Sequence, residues 1–276
     1  MSADGSGFAG ICKTPGGLRV QSGLNMPEMP NLPAAPGRPG KMSKRLTAMT
    51  DMLAEALPKG APDRAAVVLA DVGTDHAGLL IALAKAGCID RGVGIEIADG
   101  PYCRAQANVL AHCLTDRIEI RYGDGLCPLA AGEAMACAIA GMGGKAITQI
   151  LENSPATTAA LSLLLLQPAN AEKRLRLYLQ KSGWAIIREA LVEEKGIIYP
   201  IILTQPGVTA TLSAAQAEFG PRLLEERPPL LAAMVSEKIR KNSQIIRHLA
   251  LSTSEESRRK RASLLKQIRE WEALLQ

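Results

Sequence analysis

Aromatic residues are scarce in this chain: Phe, Trp and Tyr together make up 3% of its 276 residues. A core must therefore be assembled from Leu, Ile, Val and Ala. At 47% hydrophobic residues, the chain carries enough of these for one sizeable core with an appended module. A disordered chain would have fewer aliphatics and more net charge. There is no uninterrupted apolar run long enough to cross a bilayer, and no charged-then-apolar leader at the start, so no membrane partner is expected. The six cysteines are Cys12, Cys88, Cys103, Cys113, Cys127 and Cys137, with no C-x-x-C pair and no accompanying histidine cluster. A metal site is not expected, and unpaired thiols suit a reducing, cytoplasmic setting. Nothing in the pattern predicts an oligomer.

The charge is unevenly spread. Residues 42–220 carry 16 Lys and Arg against 18 Asp and Glu, a net −2, whereas 221–276 carry 12 against 7, a net +5. The first 41 residues add +2. The basic C-terminal segment makes a polyanion one candidate partner, and a solvated helix face the plainer alternative.

Residues 1–41 are rich in Pro and Gly, and Pro27 to Gly40 cannot sustain a helix, because proline lacks a donor and restricts its predecessor. This stretch reads as a disordered extension, with Met42 a possible functional start. Ser43 to Leu57 reads as a helix capped by Ser43 and ended by Pro58. Ala65 to Asp71 is a continuous apolar run, the mark of a strand buried on both faces. Alternation follows: helix 77–86, strand 92–97, helix 101–112, strand 117–121, strand 134–140, helix 144–152, strand 161–167 and helix 171–181. Strands separated by helices of this length predict a parallel sheet. The runs 184–192 and 197–204 are joined by only Glu193 to Gly196, which demands an antiparallel hairpin. The pattern is that of an α/β protein with a Rossmann-like, class I methyltransferase sheet over 42–220. Residues 221–251 and 254–274 then read as two helices in an antiparallel, coiled-coil-like hairpin, a separate C-terminal domain over 221–276.

The chemistry-bearing residues fall at successive strand ends. The first strand delivers Asp71-Val72-Gly73-Thr74-Asp75-His76-Ala77-Gly78 into a helix start. Gly73 allows close backbone approach to a ligand, but the spacing G-x-G-x-x-G is missing, so a pyrophosphate grip is not indicated. Glu96 lies 25 residues past Asp71, where nucleotide-binding α/β domains hold ribose hydroxyls with an acid. The third strand ends in Gly123-Asp124-Gly125-Leu126, where Asp124 can accept from an adenine amino group, and the fourth in Ala140-Gly141-Met142-Gly143-Gly144. Singly, each acid is as well explained by a cap or turn. Together they point to a nucleotide-like ligand at the topological switch point.

From Met42 to Gln276 the chain resembles the bacterial tRNA N1-adenine methyltransferase family that acts on adenine 22. The matching pieces are Ser43-Lys44-Arg45-Leu46, Asp71 to Ala77, Gly94-Ile95-Glu96-Ile97 with Gly100-Pro101, Gly123 to Leu126, Ala140 to Gly144 and Leu166-Gln167-Pro168, followed by the helical hairpin. The resemblance implies S-adenosylmethionine as cofactor, tRNA as partner and no metal. Carried over by position, Asp71, Gly73, Thr74, Glu96, Ile97, Asp124, Gly125, Gly141, Met142 and Gly143 surround the cofactor, with Arg45 and Asp75 near the target base. Asp75 is then the residue to accept from the adenine amino group; its other reading is the N-cap of the following helix. His76 reads as a packing or RNA-contacting residue. The family often has an aromatic after Asp-His-Ala; Gly78 stands here instead, which is expected to loosen packing at the mouth of the site. Basic residues of the hairpin, from Arg240, Lys241 and Arg247 to Arg258, Arg259, Lys260 and Arg261, are the expected phosphate contacts. The alternatives are a methyltransferase of small molecules or proteins, a nicotinamide dehydrogenase, which the missing phosphate loop and the terminal hairpin disfavour, and a non-catalytic RNA-binding module.

Overall fold

The structure, a computed structural model, describes residues 42–59, 65–208, 210–252 and 254–276. The extension expected over residues 1–41 lies outside them. Helix α1 (Lys44–Ala56) starts where Ser43 Oγ accepts the Leu46 N–H, as its sequence predicts. Strands β1 (Val68–Val72), β2 (Arg91–Glu96), β3 (Ile118–Tyr122), β4 (Ala136–Met142) and β5 (Leu163–Pro168) are parallel. Helices α2 (Gly78–Lys85), α3 (Asp99–Ala111), α4 (Gly144–Asn153) and α5 (Pro155–Ala160) connect them, and α6 (Glu172–Lys181) leads to the hairpin β6 (Trp184–Glu194) and β7 (Ile197–Pro206). β7 runs antiparallel to both neighbours, and the sheet order is β3-β2-β1-β4-β5-β7-β6. This is the expected α/β, Rossmann-like sheet with a terminal antiparallel hairpin. Lys195 and Gly196 both have positive φ, 53° and 76°, as a two-residue turn matching strand twist requires.

Alternate residues of the central strands feed two apolar layers. Leu69, Ala136, Ala138, Leu163 and Leu165 join Leu53, Leu80 and Val109 beneath α1, α2 and α3. Ala70, Cys137, Ile139, Leu164 and Leu166 join Ile147, Leu151, Leu175 and Leu179 beneath α4 and α6. Both faces being covered explains why these strands read as continuous apolar runs rather than alternating ones.

The C-terminal segment departs from expectation. Residues 221–251 are not one helix: α8 (Pro221–Glu226) stops at Arg227, and α9 (Leu230–Leu249) begins only after Pro228 and Pro229. The two prolines remove two donors and clash with a continuing helix, and Arg227 turns left-handed at φ 47°. A further helix, α7 (Ala214–Phe219), precedes them, held by a reciprocal Ser213–Gln216 capping box. α9 pairs with α10 (Glu255–Glu272), which ends in a short 3₁₀ turn. Phe219, Leu223, Leu231, Val235 and Trp271 form a third cluster, against which Leu191 of β6 packs, so the base of the helical segment rests on the sheet. The chain crosses into it at Gly220, where φ is 108° and a Cβ would lie 2.4 Å from Glu189 Oε2. Below this crossing, fully buried Arg176 pairs with Glu189 at 2.8 Å and donates to the Ala217 and Glu218 carbonyls, while the Arg222 N–H donates to Glu189. Burial pushes the Glu189 carboxyl above its usual range, although Arg176 opposes this. Among the described residues, no helix is long and apolar enough to cross a membrane.

Candidate active site

β1 to β4 are parallel, so their carboxyl ends meet on one edge. Between them lies a cavity of about 360 Å³, walled by Val72 and Gly73 at the end of β1, Ile95 to Ile97 at the end of β2, Gly123 to Gly125 after β3, Met142 of β4, and Ala146, Gln149, Ile150 and Asn153 of α4. That size lies within the range of small-ligand sites, roughly 300–1,000 Å³. Two glycines make the walls possible. Gly73 sits at φ 73°, and a Cβ there would lie 2.5 Å from Met142 Cε, so the loops after β1 and β4 approach only across a bare backbone. Gly125, at φ 55°, would place a Cβ 3.0 Å from Ile150 Cγ2.

The chemistry of this lining is one-sided. Among the described residues it holds two carboxylates, Glu96 and Asp124, the side-chain amides of Gln149 and Asn153, and no Lys or Arg. Carboxylates accept from hydroxyl and amino groups and attract a cation. A ligand with a ribose diol, an adenine amino group and a positive sulfonium fits this set. A pyrophosphate, which calls for basic or uncapped amide partners, does not. Among the described residues, no group of three or more His, Cys, Asp or Glu side chains is placed to hold a metal ion.

Of the residues expected around a cofactor, Gly73, Glu96, Ile97, Asp124, Gly125 and Met142 line the cavity, whereas Asp71, Thr74, Gly141 and Gly143 do not. Asp71 is buried and accepts the Thr74 hydroxyl at 2.7 Å, tying the loop to its own strand. Burial raises its pKa to about 6, against the pull of Thr74 and with a small push from Glu96. Glu96 is also buried, and its Oε1 accepts the Asp75 N–H at 2.6 Å, so one carboxylate touches both the cavity and the loop beyond β1.

That loop does not bear out the capping reading of Asp75. The residue at the N-cap of α2 is Ala77, at φ 53°, and no side chain caps it. Asp75, itself at φ 45°, turns away from the helix: its Oδ1 accepts from Arg104 Nη2 at 2.8 Å, and its Oδ2 is 3.5 Å from His76 Nε2. The carboxylate remains half exposed. The expected loosening at Gly78 is absent, since Leu46 of α1 comes within 3.1 Å of where a Cβ would stand and fills the space.

Arg45 is tethered on three sides. Its Nε donates to Glu194 Oε2 at 2.7 Å, its Nη1 to Gln167 Oε1 at 3.2 Å, and its guanidinium lies 4.4 Å from the Tyr199 ring centroid. Gln167 is fully buried, and the same oxygen accepts the Gly141 N–H at 3.1 Å. Arg45 thus joins α1, the hairpin and, through Gln167 and Gly141, the ends of β5 and β4. Glu194, Gln167, Arg104, Gln149 and Asn153 were not singled out by sequence. Only Gln167 gave a signal, in the matching run Leu166-Gln167-Pro168.

Comparison with known proteins agrees with this geometry. The model of the tRNA (adenine(22)-N(1))-methyltransferase family matches residues 69–273. The tRNA (adenine(22)-N(1))-methyltransferase of Bacillus subtilis is 31% identical over 223 residues, which is 79% of this chain and 91% of that protein. Among solved structures, the Bacillus subtilis m1A22 tRNA methyltransferase superposes with a TM-score of 0.74 at 29% identity, covering 86% of this chain and 99% of its own. Streptococcus pneumoniae Sp1610, solved in complex with S-adenosyl-L-methionine, superposes with a TM-score of 0.73 at 32% identity, covering 86% of this chain and all of that one. With the family model matched from β1 to α10 and the curated Bacillus subtilis relative covering most of both chains, the chain belongs to the tRNA (adenine(22)-N(1))-methyltransferase family.

Proposed function

We propose that this chain transfers a methyl group from S-adenosylmethionine to N1 of adenine 22 in tRNA, with the cavity at the sheet edge as its cofactor site. The observation that carries the reading is the charge of the lining: among the described residues its only charged side chains are Glu96 and Asp124, at the ends of neighbouring strands. The bound cofactor supplies an activated, electrophilic methyl group. In this reading Glu96 accepts from the ribose hydroxyls, Asp124 from the adenine amino group of the cofactor, and Gly73 and Gly125 let the backbone approach.

Adenine N1 carries an in-plane lone pair, so no proton has to be removed before it is methylated. The chain accordingly needs no strong base. It must hold the base in line and offset the positive charge that the ring acquires. Alignment alone is worth up to roughly 7–11 kcal/mol in favourable systems. Asp75, half exposed beside the mouth of the cavity, is the group to accept from the target adenine amino group and favour the cationic product. In this reading Arg45, held by Glu194, steadies through Gln167 the Gly141 N–H, one residue before cavity-lining Met142. Gly220 divides the part that does the chemistry from the helical part that grips RNA phosphates, and a tRNA substrate implies action in the cytoplasm.

The deciding experiment is transfer of labelled methyl from S-adenosylmethionine to a tRNA transcript with adenine at position 22, read by mass spectrometry as 1-methyladenosine. A matched transcript with guanine at that position is the control. Equal labelling of both, or of neither, overturns the reading.

A further inference from the structure

Resting on the role given to Asp75 above, we infer that Arg104 is the positioning residue for the Asp75 carboxylate, and that α3 serves as the arm that aims the catalytic loop. A half-exposed aspartate on a loop samples several rotamers unless something fixes it. The ordinary restraint, capping of the following helix, is absent here, because Ala77 occupies the cap and no side chain satisfies it. The restraint comes from α3 instead. Arg104 and Asn108 are one helical turn apart and so lie side by side on one face. Arg104 Nη2 donates to Asp75 Oδ1 at 2.8 Å, and Asn108 Nδ2 donates to the His76 carbonyl at 2.8 Å. One grips the carboxylate and the other the backbone of the next residue.

The third restraint comes from the cavity itself, where Glu96 Oε1 accepts the Asp75 N–H. Asp75 is therefore held by side chain and by backbone from two elements, β2 and α3, that are joined by only Ile97 and Ala98. Arg104 thus takes Oδ1, and Oδ2 of the half-exposed carboxylate, 3.5 Å from His76 Nε2, is the oxygen left for a base. The contact is a single N–H···O bond from Nη2, whose direction the rigid planar guanidinium fixes more closely than a freely rotating ammonium would. Exposed ion pairs add little to stability, so a merely structural Arg104 would be nearly silent. A misplaced reacting group, by contrast, can cost on the order of 100-fold in rate for 1 Å.

The test is a kinetic cycle on the full chain, with Arg104→Ala, Arg104→Lys, Asp75→Ala and the double variant Asp75→Ala/Arg104→Ala. Turnover and KM for tRNA are measured beside affinity for S-adenosylhomocysteine. Arg104→Ala is expected to lower kcat roughly 10- to 100-fold with KM and cofactor affinity near wild type, by the misplacement argument. Arg104→Lys should recover part of that loss, and the double variant should be no slower than Asp75→Ala, because there is nothing left to aim. Arg104→Ala at wild-type kcat beside a slow Asp75→Ala overturns the inference and leaves the role of Asp75 standing. A raised KM at unchanged kcat, additive in the double variant, also overturns it, since Arg104 would then touch RNA directly. If Asp75→Ala itself turns over normally, the role of Asp75 falls and the inference falls with it.

Discussion

Around the cavity, polar groups are tied down in pairs: Asp71 to Thr74, Glu96 to the Asp75 amide, Asp75 to Arg104, Gln167 to both Arg45 and Gly141. On the outer faces of α9 and α10 the pattern is looser. Arg240 and Lys241 lean on Glu237, and Arg259 on Glu255, while Arg247, Arg258, Lys260 and Arg261 make no ion pair among the described residues. The first region uses charge for direction, the second leaves it free in solvent. Chemistry that must aim at one atom needs the former, whereas attraction to a polyanion needs only a field. The two regions should therefore fail differently when mutated.

The sharpest break is Asp75→Ala. Loss of a group that stabilises charge in the transition state typically lowers kcat 10²–10³-fold. Because Asp75 caps no helix and its half-exposed carboxylate faces only the exposed side chains of Arg104 and His76, the melting temperature of the variant should barely move. A folded variant with near-normal single-turnover rates would remove Asp75 from the mechanism. Next in size is Trp271→Ala, which tests the base of the helical segment rather than its surface. Trp271 is buried and meets Phe219 edge-on, with ring centroids 5.1 Å apart. Emptying such a site costs about 3–5 kcal/mol, so thermal melts should show a large loss of stability. An unchanged melt would mean that this base contributes little to holding the chain together.

Glu96→Gln sharpens the contrast within the active edge. Glutamine keeps an acceptor for the Asp75 amide but loses the charge and one ribose partner. Hydrogen bonds to charged groups are worth about 1.5–3 kcal/mol, so affinity for S-adenosylhomocysteine by calorimetry should fall roughly 10- to 100-fold. Unchanged affinity would put the ribose elsewhere. Asp71→Asn tests the restraint behind the wall. The Asp71 pKa is raised to about 6 by burial, so the fold favours its protonated form. Stability is therefore lost as pH rises from the ordinary carboxylate range through that value. Asparagine can still accept the Thr74 hydroxyl without carrying charge. The variant should be more stable than wild type at pH 8, by an amount on the order of 2–3 kcal/mol, and the advantage should vanish near pH 4. A pH-independent difference would show that the buried charge is not its cause.

These predictions separate what the residues announce from what only the fold assembles. The sheet was legible because Val68 to Val72 and Leu163 to Pro168 are apolar throughout most of their length, and because Lys195-Gly196 leaves room only for a hairpin. Glu96, Asp124 and Met142 were legible for a topological reason: the end of any parallel strand is a place on one edge. The failures are of two kinds. The break at Pro228-Pro229 and the Ser213–Gln216 capping box were local signals, outweighed by the apolar spacing on either side. The partners Arg104, Asn108 and Glu194 were not legible at all. Arg104 stands 29 residues from Asp75, and Glu194 stands 149 from Arg45. Whether such pairs meet depends on how α1 and α3 are rotated over the sheet, which no local pattern encodes.

The last prediction concerns the free charges of the helical segment. Arg258, Arg259, Lys260 and Arg261 occupy the first turns of α10, far along the chain from Trp271 and the packed base. Changing all four to Gln should leave the fold, cofactor affinity and choice of base intact, because these side chains touch no part of the cavity. The change should show in the salt dependence of tRNA binding. Removing one phosphate-neutralising side chain lowers the slope of log K against log salt by roughly 0.7–0.9. The four are not equivalent, since Arg259 already directs its charge at Glu255 at 2.5 Å, whereas the other three have no such partner among the described residues. Arg259→Gln alone should therefore move the slope least, and Arg258, Lys260 and Arg261 together should account for most of the effect. Binding measured from low to moderate salt, with each variant and the quadruple, checks this. An unaltered slope in the quadruple variant would make the cluster an ordinary solvated helix face and move the search for the RNA grip toward Lys44 and Lys145, which adjoin Arg45 and the loop after β4 in sequence.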